Sequence, residues 1–123
     1  MKGSGRIGTG KKGEDIAVAR LKGEGYEILE RNYRCLFGEV DIVARDGDTI
    51  VFVEVKSRRS ETYGDPQLAV GPTKQKKLSR VAVKYLEERH LYSCNARFDV
   101  VAVKILPAGN HVELISNAFD LAL

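Results

Sequence analysis

Two short apolar runs, each interrupted by a single acid, constrain this chain more than any other feature. The first is Val40-Asp41-Ile42-Val43-Ala44 and the second is Ile50-Val51-Phe52-Val53-Glu54-Val55. Near-continuous runs rich in β-branched and aromatic residues fit central strands buried on both faces. Between them stands Asp46-Gly47, a strong hairpin signal. A carboxylate inside such a strand is costly unless it is paired or holds a cation. With Asp46 and Gly47 as the loop, Arg45 pairs with Asp48, and counting outward sets Asp41 opposite Phe52. Glu54 is then the diagonal neighbour of Asp41 on the same face, roughly 7 Å away. Lys56 follows Glu54 by two residues and projects from that face as well.

The pattern around this hairpin reads α-β-β-β-α-β-β. Residues 13–23 form a helix on the stripe Ala17, Val18 and Leu21, stopped near Gly23 and Gly25. Strands are expected at residues 26–34, 39–45 and 49–57. Residues 58–72, with Gly64, Pro66, Gly71 and Pro72, read as a loop. A second helix spans residues 73–89, with Leu78, Val81, Ala82, Tyr85 and Leu86 on one face, and two more strands cover 97–106 and 111–116. This order predicts an α/β sandwich, a mixed central sheet flanked by helices. Without a repeat or an internal boundary, residues 13–123 are expected to form one domain. Residues 1–12, rich in Gly and Lys, are expected to be a flexible basic arm. Within it, residues 3–8 fit GxGxxG and residues 5–12 approach a phosphate-binding loop. Neither follows a strand, and Lys12 replaces the required Ser or Thr, so nucleotide binding is not expected.

At 43% hydrophobic and 30% charged residues, the composition suffices for an ordinary globular core and does not point to disorder. Cys35 and Cys94 are far apart and in no CxxC spacing, which fits reduced thiols in the cytoplasm rather than a zinc site. No apolar run approaches the roughly 18 residues of a membrane span, and the basic start lacks the apolar core of a signal peptide. The net charge of +3 is mild, but the basic residues cluster. Lys11, Lys12, Arg58, Arg59, Lys74, Lys76, Lys77 and Arg80 read either as solvated surface or as a track for a phosphate backbone.

Two more polar residues fall on apolar stripes. Glu14 precedes Ala17, Val18 and Leu21 by three, four and seven residues, so it shares their inward face. It could equally complement the helix dipole. Gln75 precedes Leu78 by three and Ala82 by seven, on the inner face of the second helix, where a plain helix-start role is the alternative. Asp99, inside an apolar strand, reads as structural, bound to Arg97 or capping a strand. His90 and His111 read as ordinary surface or core residues. Aromatics are sparse and Trp is absent, so stacking on single-stranded bases is not suggested.

Asp41 followed by Glu54-Val55-Lys56 at the end of an apolar strand resembles the D…ExK motif of restriction-endonuclease-like nucleases. Gly13-Glu14, Arg31-Asn32-Tyr33-Arg34, Gly38-Glu39-Val40-Asp41, Phe52-Val53-Glu54-Val55-Lys56, Thr73-Lys74-Gln75 and Arg97-Phe98-Asp99-Val100-Val101 extend the match. Over nearly its whole length the chain is similar to the YraN-type family of small bacterial proteins, itself similar to archaeal Holliday junction resolvases. The resemblance implies hydrolysis of DNA phosphodiester bonds, branched DNA being the favoured target, with Mg2+ or Mn2+. Asp41, Glu54 and the Val55 carbonyl would hold the metal, with Glu14 completing the site directly or through water. Lys56 would position the attacking water, and Gln75 would belong to the same catalytic set. Relatives that cut junctions symmetrically work as dimers, so a homodimer is expected too. The rival reading is a non-catalytic DNA-binding module of the same fold. A purely structural adaptor leaves the inward acids unexplained.

Overall fold

The hairpin formed by the two apolar runs lies at the centre of a five-stranded sheet. The computed structural model describes residues 10–59 and 70–123. The lookalike at residues 3–8, most of the one at residues 5–12, most of the expected arm and most of the expected loop at 58–72 fall outside them. Helix α1 (Lys11–Gly23) comes first. Strands β1 (Glu27–Cys35), β2 (Gly38–Asp46) and β3 (Thr49–Arg58) then form an antiparallel meander. Helix α2 (Pro72–Glu88) precedes β4 (Asn95–Leu106), which lies parallel to β3, and β5 (Gly109–Phe119) returns antiparallel. The spatial order is β1-β2-β3-β4-β5. Parallel neighbours need a long connection, and here it includes α2.

The side chains of β3 divide between two cores. Ile50 and Phe52 pack with Leu78, Val81, Ala82 and Tyr85 of α2. Val51 and Val53 pack with Ala17, Val18 and Leu21 of α1. The helices therefore cover opposite faces of the sheet, which is why the run 50–53 is apolar without alternation. Helix α1 begins two residues earlier than expected, so Lys11 and Lys12 are helical rather than part of an arm. Both are good helix formers, and Lys11 pairs with Asp15 one turn on, at 3.7 Å. Pro72 opens α2, where its fixed φ and missing N–H do no harm. Among the described residues no helix is long and apolar enough to cross a membrane.

The hairpin register differs from expectation by two residues. Asp46 pairs with Thr49, Arg45 with Ile50, Val43 with Phe52 and Ile42 with Val53. The loop is Gly47-Asp48, one residue further along than predicted, because the positive φ of +62° falls at Gly47, the first loop position. Asp41 is consequently not opposite Phe52. Counted onward, the register sets it level with Glu54 instead of diagonal to it. A slip of two leaves the side chains of the paired stretch, residues 42–46 and 49–53, on their expected faces, whereas a slip of one would not.

Two irregularities re-aim polar groups. In β1, Asn32 adopts φ +56°, between the pairs Arg31 to Ile42 and Tyr33 to Val40. Across this point β1 changes the face it presents, Arg31 reaching α1 and Tyr33 joining the α2 core. In the β4–β5 ladder the register shifts between Phe98 and Val100, and Asn117 has φ +53°. The fully buried Asp99 sits at that break and accepts the Asn117 N–H at 2.9 Å. It also accepts the Tyr26 hydroxyl and the Arg97 Nε, each at 3.0 Å, and Arg97 reaches on to Asp46 at 2.9 Å. This network pins the end of the sheet away from Glu54, and Asp99 has the structural role read from the sequence.

Candidate active site

Asp41 and Glu54 come together just past the last β2–β3 ladder pair, Ile42 with Val53. The Asp41 Oδ2 accepts the backbone N–H of Val55 at 2.7 Å, so the side chain is tied to the strand that carries Glu54. Glu54 is only 5% exposed. Burial first, and then the adjacent Glu54 charge, push the Asp41 carboxyl up to about 7, against the pull of the Val55 N–H bond. A half-buried carboxyl beside a buried one resists ionising together with it unless a cation joins them.

Two lysines face this pair. The Lys56 Nζ lies 3.7 Å from Glu54 Oε2, as period two on β3 predicts. The Lys74 Nζ lies closer, at 2.7 Å from the same oxygen. Lys74 was read as solvated surface or as part of a track for a phosphate backbone. Its Cα sits at the exposed start of α2, but its four-carbon stem reaches back to the acid. Burial works against its charge. The hydrogen bond to Glu54, followed by the fields of Glu54, Asp41 and Glu39, outweighs burial and raises its pKa.

Glu14 is arranged differently. Its carboxylate, 14% exposed, accepts Arg31 Nε at 2.7 Å and Asn32 Nδ2 at 3.1 Å. Arg31 also binds Asp15 at 2.7 Å, and that bond lowers the Asp15 pKa. The bend at Asn32 therefore delivers an arginine and an amide to the start of α1. A close backbone approach holds that start in place: a Cβ added at Gly13 would lie 1.7 Å from Ser57 Oγ and 2.9 Å from Ser57 Cβ on β3. Among the described residues no three His, Cys, Asp or Glu side chains converge as a metal cage. The structure thus unites Asp41, Glu54 and Lys56, and it adds Lys74. It gives Glu14 a separate anchor on β1, beside the stretch of that strand that faces Asp41.

Gln75 turns its amide to the Val70 carbonyl at 2.9 Å, bracing the entry to α2 rather than meeting the acids. Lys12, Lys76, Lys77 and Arg80 are exposed on the two helices, and Arg58 and Arg59 stand at the end of β3. Sequence reasoning missed the part of Arg31 and Asn32 in holding Glu14. Their presence in a strand next to Asp41 was the available signal.

A mixed five-stranded sheet between two helices, with acids on adjacent central strands and a lysine two residues after the second, makes this an α/β sandwich of the restriction-endonuclease-like class. Residues 13–103 match the model of "Uncharacterised protein family UPF0102", and the chain belongs to that family, within the restriction-endonuclease-like superfamily. A UPF0102 protein of Syntrophus aciditrophicus is 64% identical over 114 residues, covering 93% of this chain and 90% of that protein. One from Geobacter sulfurreducens is 54% identical, covering 92% and 89%. One from Geotalea daltonii is 49% identical over 99% of both. The solved structure of Pyrococcus furiosus SfsA in complex with Ca2+ aligns with 87% of this chain at 17% identity and a TM-score of 0.37. This chain spans 60% of that one, and so slight a likeness carries no argument.

Proposed function

We propose that this protein hydrolyses phosphodiester bonds in cytoplasmic DNA with the help of Mg2+ or Mn2+. One observation carries the reading: half-buried Asp41 and buried Glu54 are tied together by the Val55 N–H, with the Lys56 ammonium beside them. The donor set fits a hard divalent cation. Asp41, Glu54 and the Val55 carbonyl would hold it, and two carboxylates completed by water suit magnesium better than a closed protein cage does. Bound there, the cation would polarise a phosphate oxygen and make water more acidic. Asp41 and Glu54 supply the negative charge that fixes the position. Lys56 orients the attacking water or stabilises charge building on the phosphate. Glu14, held by Arg31 and Asn32, bears on the site through water. Lys76, Lys77 and Arg80 grip the DNA backbone. Branched DNA and a two-fold dimer complete the proposal, on the family resemblance alone.

The test is a cleavage screen of junction, flap, single-stranded and linear DNA with Mn2+. Asp41→Asn, Glu54→Gln and Lys56→Met should each lower the rate by about a hundredfold or more, while DNA binding in metal-free buffer persists. Variants that cut as fast as the parent rule out this site. A parent that binds DNA yet cuts none of the substrates makes the protein a binding module instead.

A further inference from the structure

Glu54 offers one oxygen to two ammonium groups, and the closer one does not come from the motif that drew attention to the site. Lys74 Nζ is 2.7 Å from Glu54 Oε2, against 3.7 Å for Lys56. The two lysines differ in setting. The Lys56 side chain is 25% exposed and projects from a strand held at that point by pairing with β4, Lys56 opposite Ala102. The Lys74 side chain is 45% exposed and springs from the first turn of a helix, so it can leave the acid for water without disturbing the sheet. A helix start is also a poor place for a cation, because the helix dipole is positive there. What holds Lys74 inward is therefore the carboxylate pair rather than its own element.

We propose that Lys74 is the resident counter-ion of the Asp41 and Glu54 pair, and that a divalent cation must displace it to bind. The proposal rests on the metal reading above. An ammonium and a divalent cation cannot both sit against the same carboxylate oxygens without strong repulsion. Occupancy by Lys74 thus weakens the affinity for metal and steadies the metal-free fold. On displacement, its charge moves to the mouth of the site, where a phosphate would approach.

The experiment is titration of the metal-free protein with Mn2+ alone, by calorimetry and by the electron paramagnetic resonance of free Mn2+. The variants are Lys74→Met, Lys74→Gln, Asp41→Asn, Glu54→Gln and, as a charge control on α1, Lys22→Met. Circular dichroism verifies folding. Both Lys74 variants should bind Mn2+ about fivefold more tightly than the parent, the scale of one partly exposed ion pair. They should also melt lower without metal and gain more on its addition. Lys22→Met should bind as the parent does. If the parent binds Mn2+ and loses it in the Asp41 and Glu54 variants, while the Lys74 variants bind equally or more weakly, the counter-ion role is overturned and the metal reading stands. Equal tightening in Lys22→Met makes the effect one of net charge and overturns the role too. If no variant binds Mn2+, the metal reading fails and takes the Lys74 proposal with it.

Discussion

A half-buried carboxyl beside a buried one keeps its proton longer, and in metal-free protein this ties stability to pH. Asp41 is raised from 3.8 to about 7 by burial and by Glu54. Its folded-state pKa lies above its unfolded value, so the contribution is fully present below about pH 4 and is lost as pH rises through about 7. Each unit of separation is worth about 1.4 kcal/mol, so the loss is on the order of a few kcal/mol. Urea midpoints of metal-free parent and Asp41→Asn should diverge from pH 5 to pH 8, with the parent falling relative to the variant. Parallel profiles would sink this account of Asp41. At this scale the sequence spoke unevenly. Asp41, Glu54 and Lys56 were readable because period two assigns faces, and faces survive a register error of two. Lys74 was not, since a helical position does not say where a long flexible side chain points. Gln75 occupied the expected stripe but found a nearer partner in the Val70 carbonyl.

Among the elements, the crossing of α1 over β3 sets the tightest tolerance. A Cβ at Gly13 would meet both the Oγ and the Cβ of Ser57. Rotating the hydroxyl away relieves only the first of these contacts, so the helix itself must shift. Gly13→Ala should cost about 1–3 kcal/mol, as overpacking does, and should loosen the bonds from Arg31 and Asn32 to Glu14. Combining it with Ser57→Gly should recover much of the loss. Urea denaturation of both single variants and the double variant measures this, and simple additivity of the two would count against the contact. Element identity and order were legible because each apolar period is long and flanked by turn residues. The ends were less so: β5 runs to Phe119, past the expected 116, because Ser116 and Asn117 interrupt the hydrophobic period before Ala118 and Phe119.

For the whole molecule, the proposed DNA-holding residues of α2 differ in exposure from the acids. Lys76, Lys77 and Arg80 are exposed along α2, while Asp41 is half-buried and Glu54 buried on the central strands. Replacing those three basic residues with Ala should weaken DNA binding and reduce the slope of log affinity against log salt by up to about three, one per lost phosphate contact. The measurement is fluorescence anisotropy on one duplex across a salt series in metal-free buffer. An unchanged slope would remove α2 from the interface. The mixed sheet between two helices was legible from element order alone, but the polar knot around Asp99 was not. Beyond the Arg97 partner read from the sequence, it draws on Tyr26, Asp46 and Asn117, which are distant in the chain.

Because the strands lie side by side in the order in which they occur along the chain, the molecule is divided lengthwise by role. Glu14, Asp41, Glu54 and Lys56 all belong to the stretch that ends with β3, and Lys76, Lys77 and Arg80 to the stretch that begins with α2. The proposed chemistry and the proposed grip are thus inherited from different halves of the gene. Substitutions in the later half can retune what the surface holds without entering the strands that carry the acids. Lys74 is the thread between the halves, so drift in the grip reaches the chemistry wherever it touches that one side chain.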